Sequence, residues 1–479
     1  MHRPSAPSAG VASPFAGGVT LDTDANSWLR VRPFAYCLAA AVLVYLARIH
    51  ETLPALAKLY PAKLITLPLI ATAIMCLPRE QLKRAARMTP VRCVAVIVAL
   101  GVLSVPGSVY PRNSFMFLTG PFIRFLLFFL LVAAGFGNRR VFRMSVIALV
   151  LGVSFAAGRL LLGWNGGYDE DRFAIGGTYD ANASAALFVI AIPFALNIAS
   201  RSGIWRLIGF GSALVLSAAV VKTGSRGGML GLVVLTPWLL YLAPRSRRVV
   251  YVAAVAVGAL LIVGTMSSAQ RARFASILAP NEDYNMTFRE GRIEIWKRGI
   301  GYMVKRPLLG VGIDGFPIAE GTISGKRNEG YGIGFMAAHN SFVQIGAELG
   351  VFGITAFLVM LGTAAAGVWR VRKLTLARAS ELSPGVADLE MGLTNACLGA
   401  LIGAVSTGFF LSLAYDPIML FVVGAAVGTV IGNPVIQGVR RAMPGPVQAT
   451  VGAGWRSARS AQVAQARATG RHAMTRRAR

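Results

Sequence analysis

The chain is dominated by apolar segments long enough to cross a lipid bilayer as helices. A membrane-crossing helix needs about 20 predominantly apolar residues, and such stretches recur along most of the 479 residues. The composition agrees, since 14% of the residues are charged against about 25% in soluble domains. We therefore predict an all-α integral membrane protein with about twelve transmembrane helices. The predicted spans are 31–49, 61–78, 93–110, 115–137, 144–163, 184–200, 207–223, 228–243, 249–267, 341–369, 391–414 and 417–437.

Lysine and arginine residues predict the orientation of these helices. Short basic loops remain in the cytoplasm, and a basic segment follows every even-numbered predicted span. Both termini are therefore predicted to be cytoplasmic. These loops, rather than nucleic-acid binding, account for the net charge of +28. The basic residues that set the pattern include Arg79, Lys83, Arg84, Arg87, Arg92, Arg139, Arg140, Arg143, Arg201, Arg206, Arg245, Arg247, Arg248, Arg370, Arg372, Lys373 and Arg378.

The pattern divides the chain into five segments. Residues 1–30 are predicted to be a disordered cytoplasmic lead-in, without the layout of a cleavable signal, and 31–267 to hold spans one to nine. A polar insert occupies 268–340, spans ten to twelve fill 341–437, and 438–479 form a basic cytoplasmic tail. The insert follows an odd-numbered span, which places it on the outer side of the membrane. Its retained positive charge there indicates a function.

Arg226 lies in a glycine-rich turn, residues 223–228, between two predicted spans. Glycines allow backbone amides to approach a ligand closely, and successive amides can bind an anion. The guanidinium of arginine offers a planar fork of donors that matches phosphate. The turn alone leaves two interpretations open, an anion site and an arginine that snorkels from a tight turn.

Within the insert, Arg289 and Arg292 are spaced by three residues, and Trp296 follows Arg292 by four. This spacing places the three side chains on one face of a helix, which Pro307 would end. The apolar positions of the same segment would lay the helix along the membrane surface. The alternative is a surface helix whose charges are solvated or paired with its own glutamates.

His339 comes directly before the tenth predicted span and is followed by Asn340 and Ser341. A neutral imidazole is a natural general base for a sugar hydroxyl. A lone histidine at a membrane edge can also be purely structural, so the residue alone does not decide between these roles.

Four further cations form a second group of candidates. An arginine within a span costs about 2.5–3.5 kcal/mol at mid-bilayer, so it faces a bundle interior or an aqueous cavity. The acidic residues of the outer loops are not interleaved with histidines at ligand spacing, so we predict no metal site and no cofactor. The four cations are Arg124, Arg159, Arg172 and Lys222.

Several short motifs follow one another in this part of the chain. Each is weak alone, but in this order they resemble the O-antigen ligase and polymerase superfamily over roughly residues 220–355. The four motifs are the SRGG turn Ser225–Gly228, R-x-x-x-W from Arg292 to Trp296, G-V-G-x-x-x-F from Gly310 to Phe316, and A-H-N-x-F from Ala338 to Phe342. The segment Tyr179-Asp180-Ala181-Asn182, before the sixth predicted span, also resembles the family's pattern.

This resemblance implies an inverting, metal-independent, GT-C-like glycosyltransferase of the bacterial inner membrane with a periplasmic active site. It implies a glycan on undecaprenyl diphosphate as donor and the lipid A–core oligosaccharide as acceptor, both within reach of membrane lipids. Arg226 with Arg289 or Arg292 would bind the leaving diphosphate, and His339 would accept the acceptor proton. Trp296 and the second group of cations would contribute to substrate binding.

Two other functions fit part of the pattern. An O-antigen polymerase or a protein O-oligosaccharyltransferase of the same superfamily would use the same donor with a different acceptor. A transporter for an anionic lipid, from a different class, would also use an arginine-lined cavity. The sequence lacks the internal repeat and paired broken helices typical of transporters, which favours an enzyme.

Overall fold

The structure, a computed structural model, is a bundle of helices. The part of the chain that it describes contains helices and turns and no strands. The described residues are 25–52, 56, 58–163, 174–175, 177–243, 248–264, 266–277, 291–324 and 336–442.

The helices are numbered along the chain, leaving out turns of five residues or fewer. They are α1 (Ala25–Tyr45), α2 (Pro61–Cys76), α3 (Arg79–Ala86), α4 (Thr89–Ser104), α5 (Pro111–Gly135, with a π-helical turn), α6 (Arg139–Leu161), α7 (Ala181–Ala199), α8 (Ile204–Lys222), α9 (Arg226–Leu242), α10 (Arg248–Gly264), α11 (Ser268–Ala275), α12 (Arg292–Lys305), α13 (Ser341–Ala377), α14 (Pro384–Gly408), α15 (Pro417–Gly432) and α16 (Pro434–Ala442).

A helix lies at each of the twelve segments predicted as spans. Among the described residues, seven helices are long and apolar enough to cross a membrane, and the pair α2 and α3, bent by 107°, would make an eighth. Shorter apolar helices, α4, α9 and α15, also lie at predicted spans. The all-helical membrane class is confirmed, whereas the number of twelve crossing helices stays a prediction.

Two predicted boundaries differ from the structure. Helix α1 begins at Ala25, inside the segment predicted to be disordered. The span predicted over 417–437 ends at Gly432, because Asn433 is extended and Pro434 begins a new helix. A proline disfavours helical backbone in the preceding residue and suits the first turn of the next helix. Helix α16 belongs to a different compact unit from the helices before it.

Helices α7 and α15 form the centre of the main unit. Helix α7 packs against α8, α9 and α14, while α15 packs against α5, α13 and α14. Nearly every side chain of both helices is buried. A helix that is apolar around its whole circumference can be enclosed by other helices without burying an unpaired polar side chain. These two helices therefore fix the positions of those that carry the candidate site residues.

A buried ion pair locks α6, α14 and α15 together. Nε and Nη2 of Arg139 lie 2.6 and 2.7 Å from the two carboxylate oxygens of Glu390, whose side chain is fully buried. Arg139 also donates to the carbonyls of Gly428 and Thr429, and Asn433 donates to Glu390. Because both charges are paired and hydrogen-bonded, they can remain buried.

Helix α13 is broken at Gly350, where φ is 67° and ψ is −162°. The N–H of Val351 donates to the Pro307 carbonyl at 2.8 Å instead of continuing the helix. The carbonyl of Ala347 accepts from the N–H of Val311 at 2.9 Å. A segment of the insert thus supplies the hydrogen bonds that the break removes. The helix predicted over 341–369 is present, and the structure adds the break near its beginning.

The glycines of the G-V-G element allow this docking. Gly310 has φ of 59°, and a Cβ on it would lie 2.2 Å from the Ala347 carbonyl oxygen. Gly312 has φ of 96°, and its Cβ would lie 2.3 Å from Oγ of Ser108. Both positions combine left-handed backbone with a contact too close for a side chain, so only glycine fits.

We predict that Gly310→Ala destabilises the protein by about 1–3 kcal/mol, since alanine is strained in left-handed backbone and clashes with α13. The measurement is the melting temperature of the purified protein in detergent. Gly362→Ala is the matched control, because open space surrounds this helical glycine and alanine favours helix by roughly 1 kcal/mol. Equal melting temperatures for the two variants would contradict the docking role.

Candidate functional site

The chain turns sharply between α14 and α15, and residues 409–413, here called the corner, contact three distant segments. A Cβ on Gly227 would lie 2.7 Å from Cβ of Phe410. The ring of Trp296 lies 5.3 Å from that of Phe409, edge to face. The N–H of His339 donates to Oγ of Ser412 at 3.0 Å. The corner therefore brings the SRGG turn, α12 and the His339 segment together.

The SRGG turn is hydrogen-bonded to the start of α7. Ser225 caps α9, since its Oγ accepts from the N–H of Gly228 at 3.1 Å. The same hydroxyl donates to Oδ1 of Asn182 at 2.8 Å. Asn182 in turn donates to Asp180, which caps α7. Two motifs 43 residues apart are thus one hydrogen-bonded unit.

Arg226, the first residue of α9, is half-buried beside α11. Its Nη1 donates to Oγ of Ser276 at 2.9 Å. Gln270 of the same helix donates to the carbonyl of Lys222 at 3.5 Å. The segment from Gln270 to Ser276 is therefore hydrogen-bonded to both residues. Gln270 and Ser276 were not predicted, because polar residues of an amphipathic helix carry no signal of their own.

The segment from His339 to Phe342 is fixed by its own polar side chains. Asn340 caps α13 by accepting from the N–H groups of Phe342 and Val343. Oγ of Ser341 donates to the Leu411 carbonyl and accepts from the N–H of Leu413. His339 itself is half-buried and left-handed, with φ of 47°. Its neighbours thus hold the histidine at the corner.

Helix α12 places Arg292 and Trp296 one turn apart, as the spacing predicted. Nε1 of Trp296 donates to the Ala338 carbonyl at 3.0 Å, so its polar group is used within the protein. The prediction that Trp296 binds substrate stays a prediction. The structure shows that the indole of Trp296 contacts Ala338, the residue before His339.

An ion pair anchors the other side of α12. Nη2 of Arg298 lies 2.6 Å from Oε2 of Glu320, and the Tyr302 hydroxyl donates to the same carboxylate at 2.8 Å. Burial acts to lower the pKa of Arg298, but the Glu320 carboxylate outweighs it and the pKa is raised. Burial also raises the pKa of Tyr302. The guanidinium therefore remains charged and keeps α12 in place.

Buried acidic groups hold the loop that follows the G-V-G element. The carboxylate of Glu348 accepts from the N–H groups of Asp314 and Phe316, each at 3.1 Å. Asn113 donates to the side chain of Asp314 at 3.1 Å. Burial raises the pKa of Asp314, and the bond from Asn113 opposes this shift. The insert is thereby fastened to α5 and α13.

An apolar groove of about 740 Å³ lies between α9, α13 and α14 and reaches the corner. On α9 it extends from Leu230 to Trp238, a length of about 12 Å at 1.5 Å per residue. Its lining side chains are apolar apart from Ser406. The groove was not predictable from the sequence, because lipid-facing and groove-facing residues have the same composition. The rings that line it at the corner are Phe342, Phe409 and Phe410.

The remaining predicted residues are spread over the bundle or lie outside the described part. Arg159 and Lys222 are half-buried in the last turns of α6 and α8. Arg124 is half-buried within α5. Arg172 and Arg289 lie outside the described residues. The structure therefore brings Arg226, Arg292 and His339 to one region, and a shared cavity for the second group stays a prediction.

These features define a multi-pass membrane protein whose candidate site lies at the ends of its helices. Residues 211–358 match the family described as O-Antigen ligase, which supports the O-antigen ligase superfamily that the motifs predicted. Members of this superfamily are glycosyl-transferring enzymes. The match contains Arg226, Arg292 and His339, whereas the corner lies beyond it. A search of curated protein sequences finds no match.

We predict that Asn182→Ala destabilises the protein by about 1–3 kcal/mol, because it leaves the buried Ser225 hydroxyl with one bonding partner fewer. Thermal unfolding of the purified protein in detergent measures this loss. Ser145→Ala is the control, since its buried hydroxyl has no hydrogen-bond partner among the described residues. If both variants unfold at the wild-type temperature, the bond between the motifs contributes nothing.

Proposed function

We propose that the protein is an O-antigen ligase that transfers a glycan from undecaprenyl diphosphate to the lipid A–core oligosaccharide. The observation that carries the proposal is the convergence of Arg226, Trp296 and His339 on one corner beside an apolar groove. Such a transfer requires three parts. They are cations that bind the diphosphate, a base that accepts the proton, and an apolar surface that holds the lipid chain.

The distribution of charge supports a site on the periplasmic face. Helix α13 begins next to the corner and carries Arg370, Arg372 and Lys373 near its other end. Helix α7 begins at the site and ends beside Arg201. By the positive-inside rule the basic ends of helices face the cytoplasm, which supports a periplasmic location for the site ends in the bacterial inner membrane.

In the proposed reaction, an acceptor hydroxyl oxygen attacks the anomeric carbon from the side opposite the diphosphate. The new glycosidic bond forms as the bond from carbon to the diphosphate oxygen breaks, which inverts the configuration. The hydroxyl proton passes to the imidazole of His339, and the leaving diphosphate retains the bonding electrons. Arg226 and the pair Arg289 and Arg292 stabilise its growing negative charge, so the mechanism is metal-independent.

The apolar groove suits the isoprenoid chain of the donor. It opens beside the corner, so a chain lying along α9 would hold its diphosphate near Arg226. Apolar burial contributes about 0.8 kcal/mol per CH₂ group, and the polar head supplies orientation. This placement supports a GT-C-like arrangement, in which a lipid-linked donor enters from the membrane.

We predict that His339→Ala lowers the transfer rate by about 10²–10⁴-fold, the usual contribution of a general base. The measurement is transfer of glycan from an undecaprenyl-diphosphate-linked oligosaccharide to lipid A–core by the purified protein. His50→Ala is the matched control and should retain activity. Wild-type turnover by His339→Ala would reject the histidine as the base.

We predict that Arg226→Ala and Arg292→Ala each abolish attachment of long chains in cells while the protein stays in the membrane. Arg226→Lys should restore little of the long-chain attachment, because lysine lacks the planar fork of donors that matches a diphosphate. Lipopolysaccharide profiles of a complemented deletion strain measure the outcome, with Lys83→Ala as the control. Core without long chains, with accumulated lipid-linked polymer, indicates a ligase. Single repeats on core would instead indicate a polymerase.

We predict that Ala366→Phe, which fills the groove, raises the KM for the long-chain donor but not for a donor on a short prenyl chain. The physical reason is exclusion of the isoprenoid by the added ring. Ala71→Phe, at an exposed position of α2, is the control for an added aromatic side chain. Equal changes in KM for the two donors would show that the groove does not hold the chain.

A further inference from the structure

Two side chains hold the backbone on either side of the His339 amide. Trp296 donates through Nε1 to the carbonyl of Ala338 at 3.0 Å. Ser412 accepts the N–H of His339 at 3.0 Å. These bonds restrain the peptide unit that leads into the histidine, one from α12 and one from the corner.

The backbone of His339 needs such restraint. Its φ of 47° is left-handed, which costs a residue other than glycine about 1–3 kcal/mol unless its surroundings determine it. On the following side, Asn340 caps α13 and Ser341 bonds both Leu411 and Leu413. With both sides held, the direction of the Cα–Cβ bond of His339 is fixed. Without the first two bonds, relaxation of φ would swing the side chain away from the corner.

We propose that Trp296 and Ser412 are positioning residues, which act on the reaction by fixing His339 rather than by touching substrate. The inference rests on the proposed function, because it takes His339 as the base. A base must lie within about 2.6–3.2 Å of the proton that it accepts, and a misplacement of 1 Å can cost about 10²-fold in rate. The two hydrogen bonds supply this precision.

The same arrangement links the base to the diphosphate site. Arg292 and Trp296 lie one turn apart on α12, and the Arg298–Glu320 ion pair anchors that helix. A shift of α12 would therefore move Arg292 and His339 together. The spacing of R-x-x-x-W acquires a physical reason, since the arginine and the tryptophan that holds the base share one rigid helix face.

Trp296→Phe separates positioning from substrate stacking. Phenylalanine keeps an aromatic ring against Phe409 but removes the N–H group that bonds Ala338. For a positioning role we expect kcat to fall about 10–100-fold, while the KM values for both substrates stay within about 2-fold. If Trp296 stacks on a sugar, Trp296→Phe retains kcat and the positioning inference is overturned.

Ser412 is tested in the same way. Ser412→Ala removes the acceptor for the His339 amide and should lower kcat by a similar factor. Ser412→Thr keeps a hydroxyl at this position, so its kcat should be close to that of the wild type. Trp205→Phe and Ser145→Ala, remote from the corner, are the matched controls. The assay uses the purified full-length protein in nanodiscs, with undecaprenyl-diphosphate-linked oligosaccharide and lipid A–core as probes. Wild-type kcat in Ser412→Ala would overturn the role of Ser412.

A double variant decides whether the effect passes through His339. Residues that act as a unit are strongly non-additive, so Trp296→Phe combined with His339→Asn should be no slower than His339→Asn alone. A multiplicative loss would overturn the inference. Full activity of His339→Asn would overturn the proposed base itself. Full activity of Trp296→Phe beside an inactive His339→Asn would overturn the positioning role alone.

Discussion

The need to satisfy backbone hydrogen bonds inside a membrane protein governs how the insert is attached. An unpaired amide or carbonyl in a lipid environment costs several kcal/mol, and the break at Gly350 in α13 releases such groups. The segment from Pro307 to Val311 fills the gap, since the N–H of Val311 donates to the Ala347 carbonyl and the Pro307 carbonyl accepts from Val351. The insert is thus joined to the bundle by main-chain bonds, and α12 can hold Trp296 at a fixed distance from α13.

The site is assembled from helix ends that face each other across the corner. Ser225, Asp180 and Asn340 each cap a helix there, so their side chains satisfy amides that the first turn of a helix leaves unpaired. These caps also connect the elements, because Ser225 bonds Asn182 across two helices. Local capping and the meeting of remote motifs are therefore achieved by the same side chains.

Part of the candidate site was predictable because its residues carry a local signal. An arginine in a glycine-rich turn, two arginines at helical spacing and a histidine before a span are unusual in an apolar chain. The corner was missed, since Phe409–Leu413 is as apolar as a helix and was placed inside the predicted span 391–414. The structure ends α14 at Gly408. Trp296 was expected to meet substrate, whereas its indole N–H bonds the Ala338 carbonyl.

The sequence by itself determined the membrane class, the positions of the apolar helices and the superfamily, because hydropathy, charge bias and short motifs are properties of neighbouring residues. The tertiary structure decided which of these residues meet. The contacts of Phe410 with Gly227, Phe409 with Trp296 and Ser412 with His339 join segments far apart in the chain. Such contacts depend on how helices pack around α7 and α15 and on where α13 breaks. No local pattern encodes that packing, since apolar side chains that face lipid, a groove or another helix have the same chemistry.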